Sequence, residues 1–127
     1  WFKSKIHNND LHFCCENSNL LLGYNSLRNQ ISYTKFKKFN YFLFDTFIIK
    51  KNFRNKGLAK KIMNKNISFL RKNKKIAFLQ CEKKHIKFYS NLKWKIFKSD
   101  KKFININIRH NMQLMFVNFS NKHLFLK

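Results

Sequence analysis

The stretch YFLFDTFIIKKNFRNKGLAKKIM, Tyr41 to Met63, decides how this chain is read. Tyr41 to Lys50 is dense in aromatic and β-branched residues, as a buried central strand would be. Phe53-Arg54-Asn55-Lys56-Gly57 is a basic turn. After it the period changes. Leu58, Ala59, Ile62, Met63, Ile67 and Leu70 recur at spacings of three and four, with Lys60, Lys61, Lys65 and Lys72 between them. That pattern predicts an amphipathic helix of about four turns. The leading N–H groups of such a helix lack internal partners, and its macrodipole adds positive potential there. Gly57 lets the backbone come close to a ligand. The turn is therefore a candidate diphosphate cradle. It is neither a dinucleotide fingerprint nor a P-loop, because both glycine patterns are missing. The plain alternative is a strand-to-helix connection with an incidental glycine.

Working outward, Leu11 to Glu16 and Leu20 to Leu27 read as strands joined by the turn Asn17-Ser18-Asn19. Arg28 to Asn40 is polar and basic and reads as a loop. Ile76 to Cys81 is a short apolar strand, and Lys84 to Leu92 a short helix with Ile86, Phe88 and Tyr89 near one face. Trp94 to Phe97, Phe103 to Ile108 and Gln113 to Phe119 are further strand candidates. The order β, β, β, helix, β, helix, β, β places a parallel crossover in the middle. The expected class is α+β, one domain over residues 1–127: a mixed, mostly antiparallel central sheet with a parallel β-α-β crossover, flanked by helices.

The formal charge of +23, from 28 Lys and Arg against 5 Asp and Glu, first points to a polyanion. Composition weakens that. Of the cations 24 are Lys and 4 Arg, beside 18 Asn, 16 Phe, two Gly and no Pro. The abundant residues have A/T-rich codons, so coding bias supplies much of the charge. A dedicated nucleic-acid binder also favours Arg for its fork and its stacking. Nucleic acid is thus a disfavoured partner. At 44% hydrophobic the chain can bury a core. Cys14, Cys15 and Cys81 form no disulfide framework, so a reducing, intracellular, cytoplasmic setting is expected. Adjacent Cys14 and Cys15 point to opposite strand faces, which disfavours a shared metal, and none is expected. The longest apolar stretch is too short to span a bilayer.

Arg54-Asn55-Lys56-Gly57-Leu58-Ala59 resembles the Arg/Gln-x-x-Gly-x-Gly/Ala signature of the GNAT superfamily of acyl-CoA N-acyltransferases. A second motif follows in the right order. Ile76 to Cys81, then Phe88-Tyr89-Ser90-Asn91-Leu92-Lys93-Trp94, is similar to the family's strand, its aromatic-Tyr helix and the Gly-aromatic step beyond. The likeness covers about Leu11 to Phe97, and two linked motifs in the predicted context are far more specific than either alone.

The resemblance implies acetyl transfer from acetyl-CoA to a primary amine by direct attack in a ternary complex, with no metal. The backbones of Phe47, Ile48 and Ile49 would pair with the pantetheine arm like an added strand. N–H groups from Asn55 to Lys60 (Asn55, Lys56, Gly57, Leu58, Ala59 and Lys60) would hold the pyrophosphate, with Arg54 at the signature's first position. Leu58 and Ala59 would pack the helix on the sheet. Backbone N–H of Ile48 or Ile49 would face the oxyanion, and Tyr89 would be the general acid to the departing sulfur. The strand glutamate that serves some members as base aligns with Ala77 and is absent. Asp45, nine residues before Arg54, sits where many members carry Glu or Asp. A carboxylate on a largely buried strand would have a raised pKa and could act as base; a bulge or ion-pair role is the other reading. Glu82, His85 and His7 are weaker candidates. Cys81 reads as a small buried thiol, since direct transfer needs no nucleophile.

Two departures stand out. Lys93 replaces the usual glycine before the aromatic, which predicts either a strained turn or a turn of changed shape. Only about 40 residues precede the central strand, where the family has an edge strand and one or two more helices lining the acceptor pocket. The chain starts at Trp1 and its acceptor side is expected to be truncated. With 5 acidic residues, a cleft for a polycationic acceptor is hard to build, so a neutral, small or anionic amine fits better. The alternative function is a non-catalytic, basic GNAT-like nucleic-acid-binding or scaffold module.

Overall fold

In the computed structural model, which describes residues 2–7, 9–33, 38–98 and 106–121, the decisive stretch is an inner strand feeding a helix. The elements are β1 (Phe2–His7), β2 (Asp10–Asn17), β3 (Leu20–Tyr33), β4 (Lys38–Ile49), α1 (Leu58–Lys72), β5 (Ile76–Glu82), α2 (Ile86–Ser90), β6 (Lys95–Ile96) and β7 (Met112–Asn118). The described strands form one mixed sheet in the order β1-β2-β3-β4-β5-β7-β6. Every neighbouring pair is antiparallel except β4 and β5, which α1 connects in parallel. This is the α+β architecture the sequence predicts.

The apolar stripe of α1 buries Ile62, Met63, Ile67 and Leu70 against Leu11, Phe13, Leu27, Phe44, Ala77 and Leu79 on one sheet face. Asn66 lies in that stripe and is fully buried. Its amide donates to Asn25 Oδ1 (2.8 Å) and Ile62 O (2.8 Å), and Asn25 Nδ2 donates back to Asn66 Oδ1 (2.7 Å). The reciprocal pair satisfies two amides that would otherwise be costly to bury. A Cβ on Gly23 would stand 2.5 Å from Ile62 Cδ1, so a larger residue here would make the Ile62 side chain shift where α1 crosses β3. The opposite sheet face has its own cluster of Phe39, Tyr41, Ile76, Phe78, Phe97, Leu114 and Phe116, joined by Ile106 and Ile108.

Three expectations change. First, residues 2–7, unassigned from sequence, form edge strand β1, whose last pair His7↔Asp10 turns directly into β2. Second, 28–40 is not wholly a loop. β3 runs on to Tyr33 and pairs with β4 from Arg28↔Leu43 to Tyr33↔Lys38. Arg28 and Asn29 are polar because they are exposed, while pairing to β4 supplies the strand's order; Asp10 Oδ1 also accepts the Asn29 N–H at 2.8 Å. Third, of the strand proposed at 103–108, residues 103–105 lie outside the described ones, and 106–108 are irregular. Gln80 holds that segment by donating to Asn107 O and accepting from Arg109 N–H, both at 2.9 Å. The two adjacent cysteines do separate: Cys15 is buried on the α1 side and Cys14 is half-buried.

Candidate active site

β4 and β5 are hydrogen-bonded neighbours over only two register positions, Phe42↔Ala77 and Leu43↔Phe78. Beyond these, β4 continues on β3 and β5 continues on β7, so the pair parts into a wedge. A β-bulge accompanies the parting. Tyr24 pairs with Ile48 and Ser26 with Asp45, so Thr46 and Phe47 together face Asn25. Thr46 takes φ 53°, a left-handed value that a β-branched residue rarely adopts. The bulge resets the alternation, so Phe42, Phe44, Phe47 and Ile49 all join the α1-side core.

Past the bulge the ladder assigns each backbone group. Lys50 N–H donates to Leu22 O (2.8 Å), so Ile48, one pleat back, also bonds toward β3. Phe47 and Ile49 therefore turn their N–H and C=O groups toward the wedge. Of Ile48 and Ile49, it is Ile49 whose N–H the alternation turns toward the wedge. Its carbonyl also accepts the Arg54 Nε–H at 2.9 Å, which ties the basic turn to the wedge edge.

The turn itself is left-handed twice, at Asn55 (φ 61°) and at Gly57 (φ 79°). Gly57 is the N-cap of α1, has no side-chain cap and is followed by no acid in the first turn. A Cβ there would meet nothing within 4 Å, so φ rather than crowding calls for glycine. Lys61 N–H makes the first helical bond, to Gly57 O. The N–H groups of Leu58, Ala59 and Lys60 precede it, outside the helical ladder. Lysines at 60 and 61 oppose the helix dipole, a cost that an anion at this end would reverse. Phe47, Ile48, Ile49, Arg54, Gly57 and Lys60 are among the lining of a cleft of about 490 Å³.

A second cleft of about 410 Å³ continues from it, sharing Phe47, Ala59 and Phe88 and adding Cys81, Glu82, His85 and Tyr89. Tyr89 sits edge-on to Phe44 (centroids 6.3 Å) and Phe88 (5.0 Å). Burial pushes its phenol up to about 12, and the nearby Cys81 adds to the rise. Cys81 is buried with its Sγ 3.7 Å from Met115 Sδ, and burial raises its pKa too, as a structural thiol requires. Glu82 is exposed and ion-paired with Lys84 at 3.5 Å. The side chain of His7 lies outside the described residues.

Asp45 does not have the burial expected of a strand base. Its side chain is 39% exposed and pairs with Arg28 at 3.5 Å. Its Oδ1 accepts the Thr46 N–H (2.8 Å) and its carbonyl accepts Ser26 Oγ–H (3.3 Å). These contacts hold the bulge, so the geometry matches the bulge and ion-pair reading. The cause is strand alternation: Phe44 faces the α1-side core, so Asp45 lies on the opposite face.

The family model described as the acetyltransferase (GNAT) family matches residues 1–94. The chain belongs to this family. Among solved structures the GNAT chain is similar to the Bacillus subtilis N-acetyltransferase YlbP in complex with coenzyme A, at 12% identity and TM-score 0.62, covering 84% of this chain and 66% of that one. It is similar to a mutant of the AtaT toxin bound to the C-terminus of the antitoxin AtaR and acetyl-CoA, at 13% identity and TM-score 0.63, covering 87% and 68%. It is also similar to Tetrahymena GCN5, at 14% identity and TM-score 0.62, covering 92% and 72%. The chain thus spans about two thirds of the length of these proteins, and the likeness is one of fold. No curated protein matches it.

Where the GNAT pattern has glycine, Lys93 takes φ 83°. It follows a helix end at which Tyr89 O accepts both Leu92 N–H (2.9 Å) and Trp94 N–H (3.1 Å). Trp94 is anchored by Nε1–H to Met63 Sδ (3.2 Å) and edge-on to Phe44, so the turn cannot relax. Lys93→Gly should therefore stabilise the protein by about 1 kcal/mol, read as a rise of several degrees in Tm. An unchanged or lowered Tm would show that the turn carries no strain.

Sequence reasoning missed the Asn25–Asn66 lock and a His12–Tyr24 contact on the far sheet face, where His12 Nδ1 is 2.6 Å from Tyr24 Oη. No local motif marks either pair, because each joins residues distant in sequence.

Proposed function

We propose that the chain is an acetyl-CoA-dependent N-acyltransferase acting on a primary amine by direct attack in a ternary complex. The supporting observation is the continuity of three features along one wedge. An uncapped left-handed helix N-terminus lies at one end, the Phe47 and Ile49 backbone along the edge, and Tyr89 at the other end. The relatives solved with coenzyme A or acetyl-CoA bound share this fold.

In this reading, N–H groups from Asn55 to Lys60 hold the pyrophosphate, and Arg54 braces the turn against β4. Lys56, Lys60 and Lys61 attract the polyanionic cofactor. Phe47 and Ile49 pair with the pantetheine amides as an added strand would. Ile49 N–H faces the carbonyl oxygen as charge develops on it. Tyr89 donates a hydrogen bond to the sulfur as the C–S bond breaks. Leu58 and Ala59 keep the helix near enough for its N–H groups to reach.

Coenzyme A should raise Tm. At a hundredfold excess over Kd the stabilisation is about 2.7 kcal/mol, a shift on the order of 10 °C. A flat Tm at millimolar coenzyme A would overturn the cofactor reading. Release of free thiol from acetyl-CoA across a panel of amines then tests transfer.

A further inference from the structure

The second cleft draws its lining from both faces of the sheet. On β5, Ala77, Leu79 and Cys81 join the α1-side core, so alternation sends Gln80 and Glu82 to the opposite face. Cys81, Phe88 and Tyr89 line the cleft from the α1 side. Gln80, Glu82 and Met112, the register partner of Glu82, line it from the other. The opening exists because β4 and β5 pair at only two register positions and then part. A thioester laid in the wedge from the α1 side is open there to an amine arriving from the opposite face, at the Glu82 end.

Glu82 is the carboxylate at this opening. Among the described residues the other acids are Asp10, Glu16 and Asp45; they lie on β2 and β4 and line neither cleft. The Glu82 side chain is 60% exposed, and Lys84 Nζ, on a side chain 70% exposed, stands 3.5 Å from its Oε2. An ion pair so open to water is held weakly and exchanges readily. The opening thus presents a carboxylate and an ammonium side by side. An α-amino acid carries the complementary two charges, its ammonium for Glu82 and its carboxylate for Lys84. It replaces one internal pair by two and leaves neither side chain without a counter-ion. A simple alkylamine takes Glu82 and leaves Lys84 unpaired. A polyamine sets its further charges against Lys83, Lys84 and Lys87, all exposed on the same segment.

We infer that Glu82 and Lys84 are the acceptor-recognition pair of this site and that the acceptor is an α-amino acid. The inference rests on the acyl-transfer reading above. Phe47, Phe88 and Met112 give the cleft apolar surface for the acceptor's side chain. The transfer step balances. The acceptor nitrogen gives one proton to solvent at the exposed mouth, and its lone pair forms the C–N bond. The carbonyl π pair moves to the oxygen facing Ile49 N–H and returns as the C–S bond breaks with its electrons on sulfur. The nitrogen loses a second proton and sulfur gains one. One ammonium and one thioester give one amide, one thiol and one released proton.

The test measures thiol release from acetyl-CoA with L-phenylalanine, phenethylamine and spermidine, in wild type, Glu82→Gln and Lys84→Ala, beside the Tm shift caused by coenzyme A. Phenethylamine keeps the ring and the ammonium of phenylalanine and lacks only the carboxylate. Both substituted positions are exposed, so both variants should fold and keep the Tm shift. In Glu82→Gln, KM for phenylalanine should rise at least about tenfold with kcat within about threefold. In Lys84→Ala, KM for phenylalanine should rise about tenfold while that for phenethylamine does not rise. Wild type should prefer phenylalanine to phenethylamine, and phenethylamine to spermidine, each by about fivefold or more in kcat/KM. An unchanged KM in Glu82→Gln, or loss of the Tm shift in that variant, would overturn the recognition role. A Lys84→Ala effect equal on both amines, or a wild type that prefers either amine to phenylalanine, would overturn the amino-acid acceptor. So would a wild type that binds coenzyme A yet acylates none of the three. A wild type with no Tm shift would overturn the acyl-transfer reading itself, an outcome distinct from the others.

Discussion

Gly57→Glu should remove most of the stabilisation by coenzyme A and weaken its binding roughly thirtyfold. Two effects act together. Gly57 has φ 79°, where any L side chain is strained by about 1–2 kcal/mol. A carboxylate at the N-cap of α1 also stands beside the diphosphate. Two like charges about 4 Å apart repel by roughly 4 kcal/mol at an effective dielectric near 20, and solvent at this exposed turn reduces that to about half. The remaining ~2 kcal/mol corresponds to roughly thirtyfold in Kd. Gly57→Asn separates the causes, because asparagine tolerates the left-handed region and carries no charge. It should keep most of the Tm shift. Calorimetric titration showing equal affinity in Gly57→Glu and wild type would place the diphosphate elsewhere.

Tyr89→Phe should lower kcat about a hundredfold while KM for acetyl-CoA stays within about twofold. The size follows from acidity. A phenol held at about 12 by burial is a weaker acid than an ordinary thiol of about 8.5, so full proton transfer to the departing sulfur is uphill. What Tyr89 supplies is a hydrogen bond that strengthens as charge gathers on sulfur, which places the effect at the low end for acid catalysis. The sign of the shift sets the pH dependence. Raised from 10 to about 12, the phenol stays protonated across the whole assay range. Tyr89 should therefore impose no alkaline limb between pH 8 and 10. A kcat unchanged in Tyr89→Phe would remove it from the mechanism. A limb near pH 9 that disappears in the variant would contradict its buried, protonated state.

In the proposed mechanism Tyr89 would act while staying hard to ionise, which its packing against Phe44 and Phe88 favours.

Local chemistry made half of this protein legible in its residues. The period change at Gly57 marked the strand, the turn and α1, because helix and strand periodicities are properties of consecutive residues. The same holds for the left-handed turn at Lys93, which showed as a missing glycine. Of +23 charge, the lysines beside the α1 N-terminus are the ones given a place in the chemistry. What the residues could not reveal depends on partners far along the chain. β3 extends through a polar segment because β4 pairs with it, not because its own side chains demand a strand. Asp45 read either as a base or as a bulge and ion-pair residue, and only the pairing of β4 with β3 brings it beside Arg28. His12 and Tyr24 meet only because register aligns two strands, and Asn25 finds Asn66 only because α1 crosses over β3. Secondary structure follows local sequence, whereas a cross-strand side-chain contact or a buried amide pair is a distance, and distances between remote residues are set by sheet register and helix packing alone.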